Sequence, residues 1–439
     1  MSNDPMMNTQ MDGKLVDSLL QVNKISYRMP PQIAIATKAH HTIQYPQQNA
    51  YSNGNTMVWD LQSGSSFVDP ASSYLRMRVV PSDGAHCFGA GSACNLFERI
   101  VIRTKTGKEL TRTENAGLLC RHMQRYEKSE NWLKTVGKSQ GFTTRKEVPT
   151  INVYADAVPA TGKLFVIPLQ EIFTCFNPVN GALLPAQMCS GMRIEIRLAD
   201  PDDAFCSVDQ AAPAGLASYT IDRPEIHLKE YTLNDAFQRK VTEMANQGLN
   251  LLYKEHYNTI VAQSTNVINY DIKKAVSKAL RNTVITRLSA DLSTSGADRV
   301  CSAPYNYEKI QSQIGADYFP NQPLQVDGPL DEDNVNESYY FALEEQNKLE
   351  AWNPTSVNPA QFLGSANTGA VGDVFNNGCV IFNYCKSNVS DLAGYTVSNS
   401  RSAIINLRQE GVAQNVRVDT YLCYLRLAKV MNTNTLVLD

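Results

Sequence analysis

Residues Met192–Leu198 read Met-Arg-Ile-Glu-Ile-Arg-Leu, alternating apolar and charged without a fault. Only an extended strand with one face buried and one face wet places every second side chain on the same side. The same period of two recurs in Leu75-Arg-Met-Arg-Val79, where Leu75, Met77 and Val79 face one way and the two arginines the other. In Val418–Val430, Tyr421, Cys423, Leu425 and Leu427 share one face of a half-buried strand. Arg99–Arg112 reads as two short strands joined at Thr106-Gly107, a two-residue turn with glycine where a positive φ is required. These patterns predict an all-β chain.

Helical spacing is confined to a few short segments. Thr111 and Glu114 have the spacing of a capping box, with Leu119, Met123, Tyr126 and Leu133 following at helical intervals. Two further helices are predicted over Asn234–Gln247 and Asn336–Leu349. A fourth segment, Gly13–Tyr27, places Leu15, Val16, Leu19, Leu20 and Val22 on one helix face, with Pro30 and Pro31 separating it from the first sandwich.

The two halves of the chain echo one another. Strand pair, helix with aromatics, alternating strand and long closing strand occur in that order in each, offset by about 210–220 residues, too long for a solenoid repeat. At 439 residues the chain accommodates two sandwiches of ordinary all-β size. The expected division is an amino-terminal arm over 1–30, a first sandwich over 31–233, a connecting helix over 234–247 and a second sandwich over 248–439. Long loops are expected over Asp291–Tyr307, Asp327–Val335 and Ala351–Asn377. In Ser312–Gln325, Pro320 and Pro323 follow the aromatic pair Tyr318-Phe319, which predicts a strand ending abruptly, held against a domain or subunit surface or forming a corner within its own sandwich.

Charge and motifs narrow the function. Forty basic and 43 acidic residues give a net charge of −3, without the basic face or tail by which a protein coats nucleic acid. The polar start, MSNDPMMNTQMDGK, has no apolar signal core, and no apolar run approaches the roughly 20 residues that span a bilayer. The ten cysteines, at 87, 94, 120, 175, 189, 206, 301, 379, 385 and 423, contain no CxxC pair and are expected to be reduced; with no secretion expected, the Asn336 and Asn388 sequons read as chance matches.

None of the six histidines lies in a metal-binding motif. Cys120 and His122, two apart on a helix, diverge, and the rings of His40 and His41 point to opposite faces of an extended segment. Gly89–Cys94 is half of a dinucleotide fingerprint without its strand and helix, and reads instead as a close approach of small residues to a strand beginning at Leu96. Asp331-Glu-Asp333 lacks calcium-loop spacing and reads as a solvated loop. No catalytic, cofactor-binding or metal-ligating residue is identified, and no cofactor is expected.

Two consecutive sandwiches without catalytic motifs resemble the double jelly-roll major capsid proteins of icosahedral DNA viruses, nearest the polinton-like virus and virophage branch of the lineage that includes adenovirus hexon. Gly91–Leu110, Ile314–Leu324 and Val416–Asp439 carry the likeness. The resemblance implies two eight-stranded jelly rolls standing side by side and no enzymatic activity. It also implies homotrimers presenting six sandwiches as a pseudo-hexagonal block, in a virion shell assembled inside the host cell. Implied partners are the protein itself, neighbouring trimers, and penton and minor or cement capsid proteins, with no sequence-specific nucleic acid. The arm is expected to touch a neighbouring trimer, a minor protein or a membrane, with docking on its own subunit as the alternative. A receptor- or carbohydrate-binding β-sandwich, fibre or lectin-like, is the competing reading. It would call for clustered aromatics, whereas Trp59, Trp132 and Trp352 are far apart. A sandwich glycoside hydrolase would need a carboxylate pair that no motif reveals.

Overall fold

The computed structural model describes residues 36–438 apart from 65, 90, 144–153, 155, 180, 211, 303–306, 325–331, 345, 347, 350–354, 358, 360–361, 363–377, 385–393, 399, 410–412 and 431–434. Sixteen strands form its frame. The first eight are β1 (Ala36–Gln44), β2 (Thr56–Asp60), β3 (Phe67–Pro81), β4 (Phe97–Arg103), β5 (Glu109–Glu114), β6 (Lys163–Pro168), β7 (Arg193–Leu198) and β8 (Tyr219–Leu233). They form two antiparallel sheets in the orders β1-β8-β3-β6 and β2-β7-β4-β5.

The second eight are β9 (Leu249–Gln263), β10 (Val267–Ile272), β11 (Val276–Leu288), β12 (Tyr307–Ile314), β13 (Asp317–Leu324), β14 (Val380–Asn383), β15 (Ala403–Gln409) and β16 (Val416–Val430). Their orders, β9-β16-β11-β14 and β10-β15-β12-β13, repeat those of the first eight strand for strand. The first and last strands of each set pair, so each half closes as an eight-stranded jelly roll.

Alternation explains the cores. Ile194 and Ile196 of β7 face Trp59 and Met57 on one side and Ile102 and Ile100 on the other, all buried. Ile405 and Leu407 of β15 serve the second core in the same way, opposite Tyr270, Ile268 and Ile310.

The antiparallel pairings bring the ends of β1, β3, β5 and β7, and of their counterparts, to one end of each sandwich. That end carries the long insertions, including α1 (Ala116–Glu127) after β5 and α3 (Glu332–Glu344) at the matching place after β13. At the opposite end the two halves are joined by α2 (Asp235–Gln247).

Several local expectations are corrected. Thr111 and Glu114 do not cap a helix; they pair with Ile102 and Arg99 in β5, where ladder bonds and burial outweigh a local cap. Asn115, at φ 47, then turns the chain into α1. That helix stops at Glu127, and Leu133 belongs to a separate turn, Glu130–Lys134, capped by the Ser129 hydroxyl. The β4–β5 connection is not a two-residue turn. It spans Thr104–Lys108, closed by Thr104 N–H on Lys108 O at 2.8 Å, with Gly107 at the anticipated positive φ of 82. One 3₁₀ turn, Ala93–Leu96, precedes β4, so the strand begins at Phe97. The third helix begins and ends several residues early, and Glu332 and Asp333 belong to it rather than to a loop.

The proline-rich stretch is also not a strand end. Gly315, at φ 62, makes a two-residue hairpin, and Asp317–Leu324 continues as β13 on the sheet edge, where a missing N–H is tolerated. Phe319 sits between the rings of Tyr384 and Tyr395, each 5.0 Å away. The aromatic residue is thus covered within its own sandwich.

Candidate functional site

The two sandwiches meet along a buried junction made by α1 from the first half and by β9 and β16 from the second, whose Leu251, Tyr253, Ala428 and Val430 pack into the first core. Helix α1 belongs to the first half, yet its Leu118, Leu119 and Tyr126 lie in a cluster with Ile285, Val300, Ile381 and Tyr421 of the second. This is why β16 is buried on both faces over much of its length, not half-buried as its alternation implies. Leu422 and Tyr424 fill the second core, while Tyr421 faces α1.

A fully buried carboxylate pins the start of the helix. Asp419, on β16, accepts from Arg287 Nε at 3.2 Å and Nη2 at 2.7 Å on one oxygen. Its other oxygen accepts from Arg417 Nη2 at 3.3 Å and Asn115 Nδ2 at 3.1 Å. Tyr421 Oη donates to Asn115 O at 3.0 Å, holding the left-handed residue from a second direction. Further along, the wholly buried Arg121 donates to Val300 O. His122 Nε2 lies 3.1 Å from Ser302 Oγ. Burial, reinforced by Arg121, Arg287 and Arg125, drives the His122 pKa well below the ordinary imidazole value, so the ring is neutral. Burial and Arg121 likewise lower Arg125 to about 10.

Two close approaches require glycine. A side chain on Gly117 would strike the backbone of Cys94 and Asn95, and one on Gly89 (φ 56) would meet the Asp298 carboxylate. The close approaches around Gly89–Cys94 are to the Asp298 carboxylate and to α1, not to the strand that the spacing suggests.

The far end of the junction adds buried polar contacts to this apolar packing. Tyr253 Oη and Arg426 Nη1 both donate to Leu110 O, at 2.5 and 2.7 Å. Buried Glu255 accepts from Thr174 Oγ1 at 3.0 Å. Burial raises its pKa to about 7, against the opposing pull of Thr111, Arg426 and Thr174. The neighbouring His256 is lowered to about 3, by burial first and then by Arg281 and Lys254.

The remaining histidines and cysteines are not assembled into a site. His40 reaches Glu230 while His41 is exposed, and His227 stacks on Tyr74. His86 is held between Asp83 and Ala214 O. Cys120 Sγ turns to Glu171 O, away from His122. Among the described residues no group of three or more His, Cys, Asp or Glu is placed to hold a metal ion, and none of the nine described cysteines is in a disulfide. Cys385, Asp331, Asn388 and the arm lie outside the described residues. A polar groove of about 480 Å³ opens beside Tyr45, Asn49, Asp222, Arg223 and Glu225, where β8 bulges and Arg223 takes φ 47.

No sequence motif points to junction residues such as Asn115, Arg287 and Asp419. The one available signal is Asp419 as the sole charged residue in the mostly apolar Val418–Leu425, which marks a buried charge that must be paired.

Two jelly rolls of the same strand order, locked side by side, define the fold class: a double jelly roll of the kind found in viral major capsid proteins. Among solved structures, the chain is similar to the Faustovirus major capsid protein over 100% of both chains, with a TM-score of 0.59 and 8% identity. It is similar to PBCV-1 VP54, as fitted into a reconstruction of the virophage Sputnik, with a TM-score of 0.58 and 12% identity, covering 94% of this chain and 98% of that one. The mavirus major capsid protein gives 0.53 and 10%, covering 94% and 92%. No family model and no curated protein sequence matches the chain.

Proposed function

We propose that this protein is a major capsid protein, a non-enzymatic building block whose homotrimers tile an icosahedral virion shell. The observation that carries the reading is the duplicated strand order within one chain, its halves fused by a buried junction. One subunit then offers two equivalent sandwiches at a fixed separation, and three offer six, which is the geometry of a hexagonal tile. End-to-end likeness to capsid proteins of the same double architecture supports it.

The chain divides, on this reading, into an arm (1–30), two jelly rolls (31–233 and 248–439) and the connecting helix (234–247). Its partners are its own copies, then penton and minor or cement proteins where the regular lattice is interrupted. A net charge of −3 lets trimers approach without strong mutual repulsion.

Negative-stain images of the purified protein test this. Hexagonal blocks about 70–90 Å wide, an estimate from sandwiches with sheets about 10 Å apart standing side by side, are expected. Fibres or compact monomers would refute it, the former favouring a fibre or lectin-like protein.

A further inference from the structure

Helix α2 is only thinly covered by the described residues. It is properly started and stopped: Asn234 Oδ1 accepts from Ala236 N–H at 3.1 Å, and Gly248 ends it at φ 95. Yet of its residues Asp235–Gln247 only Ala245 is buried. Phe237, Val241 and Met244 form a stripe at helical spacing; the first two are half-buried and Met244 is 56% exposed. Thirteen residues make a marginal helix in water, and such a helix normally owes its stability to an apolar face packed on something.

The chain itself supplies a cover of the right kind at the right place. Ala36 of β1 pairs with Leu233 of β8, one residue before the Asn234 cap, so the chain enters the sandwich beside the start of α2. The segment before that point includes the stripe Leu15, Val16, Leu19, Leu20 and Val22. The eight residues 28–35 can reach about 26 Å when extended, and α2 is about 20 Å long, so the stripe can lie along the whole helix of its own subunit. Charges are balanced on both sides, Lys14 and Lys24 with Asp12 and Asp17, and Arg239 and Lys240 with Asp235 and Glu243. Apolar contact therefore governs the pairing.

We propose that residues 13–27 form an amphipathic helix that docks on Phe237, Val241 and Met244 of the same chain, making a two-helix platform across the end of the molecule where the halves are joined. The contact lies within one chain, so it is tested without any shell forming, and its failure is distinct from failure of the capsid reading.

The full-length double variant Leu19→Cys/Met244→Cys is oxidised with copper phenanthroline, and the bridged peptides are identified by mass spectrometry. Single-cysteine variants control for the native thiols. The expected product is a disulfide between positions 19 and 244, at monomer mass on a denaturing gel. Gln21→Cys/Met244→Cys, from the opposite face of the arm, should bridge far less. As a second reading, deleting residues 1–28 should speed amide exchange in α2 about tenfold. A bridge at dimer mass would show that the arm covers another copy, and equal bridging from position 21 would show no defined face. Absence of both the bridge and the exchange effect would leave α2 uncovered by the arm. Each of these overturns the proposal.

Discussion

Asp419→Asn probes the junction most sharply. The wild-type carboxylate is wholly buried and accepts four hydrogen bonds, two of them from Arg287, whose side chain is itself only 9% exposed. The amide keeps one acceptor oxygen and turns a donor NH₂ toward a neighbouring donor. It also removes the negative charge that compensates a buried guanidinium. Breaking a buried pair from one side costs about 3–5 kcal/mol, because the remaining charge stays desolvated. For a cooperative unit of about 200 residues, at roughly 2–4 °C per kcal/mol, that is a fall in Tm on the order of 10 °C. Calorimetry, with urea unfolding alongside, measures it. Glu195→Gln serves as the comparison: its 2.5 Å pair with Arg103 is partly exposed, at 22% and 33%, and should cost under about 1 kcal/mol. The double replacement Asp419→Leu/Arg287→Met should recover part of the loss: the uncompensated buried charge is gone, while Asn115 Nδ2 and Arg417 Nη2 still lose their acceptor. If Asp419→Asn proves as mild as Glu195→Gln, the junction is not held as described.

Glu255 makes stability depend on pH. Its pKa rises from 4.5 to about 7 on folding, so between those values the folded chain holds the proton more tightly and stability falls as pH rises, by about 3 kcal/mol in all. His256, lowered from 6.5 to about 3, acts in the opposite sense, with stability lost as pH falls through that window. Glu255→Gln should therefore gain on wild type between pH 5 and pH 8 in urea titrations; a difference that does not change with pH would contradict the assignment. Phe319→Ala, which removes the ring between Tyr384 and Tyr395, should cost about 2 kcal/mol in the same assay; no loss would mean that β13 is not held by this contact. Alkylation of denatured protein should modify all ten cysteines, and reproducible bridged pairs, first of all Cys87–Cys206 with sulfurs 3.6 Å apart, would refute the reduced state.

What could be read in advance was whatever lies within one strand or one short connection. Faultless alternation in Met192–Leu198 marks β7, and the echo between Arg99–Leu110 and Tyr307–Phe319 reflects matching hairpins. A local signal misleads where it competes with a tertiary one. Thr111 and Glu114 have cap spacing but lie beside β4, and Pro320 and Pro323 look like terminators until the strand bearing them proves to be an edge. The junction was illegible for a different reason. Asn115 and Asp419 are 304 positions apart, and nothing in either segment names the other. Burial on both faces of β16 likewise depends on α1 arriving from the other half of the chain.

A chain that builds such a shell must first form the three-fold unit, and its native mass in solution shows whether it does. Light scattering at micromolar concentration should give three times the 48.7 kDa chain mass, unchanged on dilution, as expected of obligate interfaces burying more than roughly 2,000 Å². A single species at the mass of one chain would rule out the trimeric building block.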